Sequence, residues 1–160
     1  MNPIRSFIAS LLICSIAFAA APALRAETPA DQVKDAGAIP LTTGLLDKMD
    51  KFIAAVTADD AAKAEMSTVG KDPTMTPETW AAAVKEKCPK TSGHFASAGV
   101  TAEEFFKAIT AMMACLMSED MANSDNATAK ANAEFLKANN ARAEKTFGGF
   151  MSLGEAGAKP

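Results

Sequence analysis

Few residues of this chain have types and spacings that support chemistry. Cys88 and Cys115 have 26 residues between them, and no C-x-x-C pair occurs. A catalytic dithiol or a covalently attached haem would need that closer spacing. His94 is the only histidine. A Ser-His-Asp or Cys-His arrangement would need it beside a free nucleophile, and there is no G-x-S-x-G elbow. A zinc site wants three or four Cys, His or carboxylate ligands, and Cys88 with His94 supplies two. His94, beside Gly93 and Phe95, is expected in a loop with a solvated or structural role.

Met113, Met117 and Met121 recur every four residues, so on a continuous helix their thioethers line one strip. Soft sulfur ligands suit Cu(I), with His94 as a further candidate ligand. The competing explanation is that methionine fills an irregular core in a chain short of aromatics. Asn132 and Asn139 fall on one face of an expected helix, flanking Phe135 and Leu136. Buried, they would serve neighbouring backbone; lining a pocket, they would bind a polar ligand. Glu103-Glu104 belongs to a helix start and Glu119-Asp120 to a helix end, and neither pair faces together. Asn126-Ala127-Thr128 matches a glycosylation sequon. No convergent nucleophile or acid–base set emerges, and the expectation is a protein that is not an enzyme.

The elements that must position these residues read as helices. The chain holds 35 alanines, no tyrosine and one tryptophan, which favours helix over strand. Leu41, Leu45, Leu46, Met49, Phe52, Ile53 and Val56 form one apolar stripe, with Asp59 to Met66 as a possible extension. Val69 to Pro73 breaks the pattern. Thr76-Pro77-Glu78 opens a second helix bearing Trp80, Val84 and Cys88, which Pro89 is expected to end, with Thr91-Ser92-Gly93 as a loop. Thr101 and Glu104 form a capping box, and Val100 with Phe105 a hydrophobic staple, for a third helix through Met117. A fourth is expected from about Ala127 to Thr146, capped by Asp125 or Asn126 and stopped by Gly148-Gly149. No β-type alternation or internal repeat is evident.

The first 26 residues read as a secretory signal peptide: Arg5, an apolar run from Ile8 to Ala21, then small residues with Pro22. That run has 14 residues, short of the roughly 20 a bilayer needs. Cleavage falls after Ala23 or Ala26. Ile13 before Cys14 speaks against a lipoprotein signal. Removing Arg5 and Arg25 leaves 14 basic and 19 acidic residues, a mature charge of −5 with Arg142 as the sole arginine. No basic cluster remains for nucleic acid or an anionic membrane, so neither is an expected partner. In an exported chain an even pair of thiols forms a disulfide, and closing the Cys88–Cys115 loop would contribute about 3–4 kcal/mol.

The stretches from Ala98 to Met117 and from Asn132 to Lys145 resemble small exported bacterial helical proteins of unknown function. In these a capped T-x-E-E-F helix precedes one carrying N-x-x-F-[LV]-x-x-[NH]. The resemblance covers about a third of the chain. It implies an exported helical domain with no assigned activity, and marks Asn132, Phe135, Leu136 and Asn139 as a shared feature.

The expected architecture is all-α, a small antiparallel bundle of about four helices stapled by one disulfide. Its organisation is a signal peptide over 1–26, a flexible leader over 27–39, a helical domain over 40–150 and a loose tail over 151–160. The expected role is a periplasmic or secreted, non-catalytic protein, without cofactor or stable membrane insertion after cleavage. It would bind a small ligand or a protein partner. The alternative is copper handling through Met113, Met117, Met121 and His94.

Overall fold

Short helices are set by local caps. In the computed structural model, which describes residues 34–69, 76–117 and 119–155, Thr42 accepts from the Leu45 amide at 3.1 Å and opens α1, Thr43–Thr57. Leu46, Met49, Phe52 and Val56 form its buried face. The expected extension through the alanine-rich run is instead a separate helix, α2, Asp60–Val69. The Asp59 carboxylate accepts from the Ala61 and Ala62 amides at 3.0 and 3.1 Å, and this cap restarts the helix. Thr76 caps α3, Pro77–Lys87, in a reciprocal box with Thr79.

Pro89 does not lead into a loop. It is the first residue of α4, Pro89–Ala98, so His94 is helical. Proline lacks an amide hydrogen, but the first helical residue has no partner for one, so Pro89 both ends α3 and begins α4. Gly99, at φ 73°, terminates α4 in the left-handed region, with its amide and that of Val100 returning to the last turn. The Thr101–Glu104 capping box forms as expected, at 3.1 and 2.9 Å, and starts α5, Ala102–Met117. Val100 and Phe105, the staple pair, are both buried. A 3-10 turn spans Glu119–Asn123. Asn126 then caps α6, Ala127–Ala138, accepting from the Thr128 and Ala129 amides at 3.0 Å each.

The fourth expected helix is divided at Asn139, and α7, Asn140–Glu155, runs straight through Gly148-Gly149. A Cβ at Gly149 would stand 3.0 Å from Ile53 Cγ2. The glycine is therefore a site of close approach between α7 and α1, not a stop. The tail expected to be loose from 151 holds helix to Glu155, with Leu153 buried. Of the leader expected to be flexible over 27–39, the part from Lys34 is packed, with Ala36 buried. The signal peptide, residues 27–33 and residues 156–160 lie outside the described residues.

All described elements are helical, in keeping with the all-α reading. The antiparallel four-helix arrangement is not what packs. Asp47 meets Arg142, Asp50 meets Thr146 and Ile53 meets Gly149, so α1 and α7 run in the same direction. The starts of α3 and α5 also meet, with Trp80 stacked on Phe106 and Lys107 facing Glu78. The all-helical bundle is built from helices of 10 to 16 residues, which meet around a knot of rings.

That knot holds the main core. Phe52 of α1 lies 3.7 Å from Phe95 of α4 in a stacked pair and 4.8 Å from Phe105 of α5, edge to face. Trp80 of α3 and Phe150 of α7 close around Phe105. Aromatics are few, yet five helices meet through them. A second, smaller cluster joins Ala36, Ala114, Met121 and Ala129.

The expected disulfide staple is absent: both cysteines are free thiols. Cys88, at the α3–α4 joint, is buried toward α2 with Sγ 3.6 Å from the Glu65 carbonyl. Cys115 faces α6, 4.0 Å from the Ala129 carbonyl. No described helix is long and apolar enough to cross a membrane.

Removing the ring at the centre of the knot should cost most. Phe52→Ala is expected to lower the unfolding free energy by about 3–5 kcal/mol in urea titrations followed by Trp80 fluorescence.

Candidate functional site

Asn132 is the most deeply placed of the candidate residues, at 1% exposure on α6. Its Oδ1 accepts from the Leu41 amide at 2.7 Å. Its Nδ2 donates to the Ala36 and Ile39 carbonyls at 2.7 and 2.8 Å. The amide thus reads the backbone of the segment that enters α1, and serves that segment in the way expected of a buried asparagine. Asn139 is separate from it. It sits at the joint of α6 and α7, where its Nδ2 donates to the Phe135 carbonyl at 2.9 Å. The two asparagines do not converge on a common pocket.

His94 faces Asp59, with Nε2 3.1 Å from Oδ2. The other oxygen of Asp59 is the α2 cap, so one carboxylate joins the start of α2 to the middle of α4. The His94 hydrogen bond, followed by the Ala62 amide, holds the Asp59 carboxyl below its usual range. Beside it lies a residue the sequence reading missed. Glu65 of α2 accepts from the Lys90 and Thr91 amides at 3.3 and 2.9 Å and from the Thr91 hydroxyl at 3.0 Å. Cys88 makes no side-chain cap for α4, so Glu65 supplies one from another helix, at the end where the dipole favours an anion. The available signal was a helix start, Cys88-Pro89, without a capping side chain of its own.

Arg142 makes a second cross-helix polar joint. Its guanidinium bridges Asp47 and Asp50 of α1, reaching Asp50 at 3.0 Å. The buried Thr146 hydroxyl donates to the other Asp50 oxygen at 2.6 Å. The only arginine after the leader therefore holds α1 to α7.

The sulfur candidates do not form one strip. A continuous helix would be needed from Met113 to Met121, and α5 ends at Met117. Met121 lies in the 3-10 turn and is buried in the small cluster. Met113 stands 38% exposed, and the Met117 side chain lies outside the described residues. Met49, Met66 and Met112 are buried in the main core, filling space between helices. Among the described residues no group of three or more His, Cys, Asp or Glu is placed to hold a metal. Burial pushes the Cys115 thiol up to about 11, and burial followed by Glu65 pushes Cys88 up as well. Both remain protonated at neutral pH, which disfavours nucleophilic attack.

The acidic caps make stability sensitive to acid. Asp59, Glu78 and Glu104 have folded values below their ordinary 3.8, 4.5 and 4.5. For Asp59 the chief cause is His94; for Glu78 it is a bond from its own amide, and for Glu104 one from the Thr101 amide. Their contribution is complete above those ordinary values and is lost as pH falls through the lower folded ones. The urea midpoint is therefore expected to fall below about pH 4.5, and Glu104→Gln to make that fall shallower. Midpoints measured across this pH range check it; a slope unchanged by the substitution would refute the assignment.

No family model, curated protein or solved structure matches this chain.

Proposed function

We propose that this chain is an exported, non-catalytic helical protein that acts by binding a protein partner or a small ligand. The observation that carries the reading is the use of the polar side chains. Asn132, Glu65, Asp59, Arg142 and Glu104 each hold a backbone end or a neighbouring helix. Acid–base catalysis would need such groups turned toward a substrate. The Asn132 contacts add that one face of α6 already receives another segment of the chain through its backbone. Export rests on the leader, with its positive start, apolar run and small-residue boundary. The test is native mass spectrometry of protein isolated intact from the periplasmic fraction of its own host. A bound component of defined mass is the expected result. A bare, monodisperse chain in repeated preparations would reject the binding reading, and an unprocessed chain in the cytosol would reject export.

A second reading, soft-metal handling, is favoured by Met113, the one large hydrophobic exposed among the described residues. It requires Met113→Leu to weaken Cu(I) binding. Equal titration curves for the two proteins would discard it.

A further inference from the structure

We propose that Met113 is an oxidation site for hydrogen peroxide, that it reacts ahead of both cysteines, and that the fold sets this order. Three sulfurs stand within four residues of α5, at Met112, Met113 and Cys115. Each residue turns a helix by about 100°, so the three leave its axis in different directions. Met112 enters the main core and is wholly buried. Met113 turns outward and is 38% exposed. Cys115 turns toward α6, where its S–H donates to the Ala129 carbonyl at 4.0 Å. Met49, Met66 and Met121 are buried like Met112.

Peroxide attacks a thiolate rather than a thiol, which ordinarily puts an accessible cysteine first. Here both thiols are held in the protonated form. Cys88 is buried, and its S–H donates to the Glu65 carbonyl at 3.6 Å. Each S–H therefore gives its hydrogen to a carbonyl, a bond that the thiolate cannot make. With Cys115 pushed up to about 11 by burial, about one molecule in ten thousand carries that thiolate at pH 7. A thioether has no proton to lose and reacts as it stands. A lone pair of Met113 Sδ attacks one peroxide oxygen, and the S–O bond forms as the O–O bond breaks. The departing hydroxide takes the proton of the transferred oxygen and leaves as water. Sulfur gives up two electrons and peroxide accepts them. The product is a polar sulfoxide. It forms on the solvent side of α5, and the ring contacts among Phe52, Phe95 and Phe105 do not involve Met113.

The site is independent of the binding proposal. Timed peroxide treatment of the intact, reduced protein at pH 7 tests it. Remaining thiols are alkylated under denaturing conditions, and fragment mass spectrometry separates Met112 from Met113. Met113 sulfoxide is expected to form at least about 10-fold faster than sulfoxide at Met49, Met66, Met112 or Met121, and before either thiol is lost. Trp80 emission is expected to stay constant as Met113 oxidises. In urea, where burial is gone, the order is expected to reverse, with Cys88 and Cys115 consumed before Met113. Loss of either thiol ahead of Met113 in the folded protein would overturn the proposal. So would Met112 oxidising at the Met113 rate, an order that urea leaves unchanged, or loss of native Trp80 emission as Met113 oxidises.

Discussion

Each helix begins with amide groups that its own carbonyls cannot reach, and this protein is built from many short helices. That constraint explains the placement of its polar side chains. Thr42, Asp59, Thr76, Thr101 with Glu104, and Asn126 satisfy their own helices. The start of α4 has no such residue, and Glu65 reaches it from α2. An unpaired buried amide would cost more than any one of these bonds contributes, so the caps dictate where carboxylates can stand.

The apolar half of the fold answers a different problem. Helices of this length bury little area alone, and their alanine-rich faces offer small side chains. The rings of Phe52, Trp80, Phe95, Phe105 and Phe150 compensate by joining five helices at one place. Around them, small residues allow helices to approach, as Gly149 does against Ile53. Parallel contact between α1 and α7 follows, fixed in register by Arg142, Asp50 and Thr146. Asn132 ties the segment that enters α1 to α6 through three hydrogen bonds, to Ala36, Ile39 and Leu41.

The places where sequence patterns misled share a cause. Pro89 and Gly148-Gly149 are breakers in isolation. Pro89 instead starts a helix, and Gly149 instead meets a neighbouring side chain, so each keeps its local chemistry but serves another purpose. The methionine strip required α5 to continue past Met117. The Cys88 and Cys115 sulfurs face carbonyls of α2 and α6, and no disulfide joins them in this structure. Asn132 was legible as a buried polar residue on a helix face, but its partners were not.

Local order was written in the residues themselves. The helical class, the Thr76 and Thr101 caps, the staple of Val100 and Phe105 and the stripe on α1 all rest on contacts three to five residues apart, which the chain's own periodicity determines. Tertiary structure alone decided the rest. The Glu65 cap spans 26 residues, the Asn132 clasp 91 and the Asp50–Arg142 pair 92. Such partners are selected by which helix faces meet around the rings, and no spacing along the chain encodes that choice.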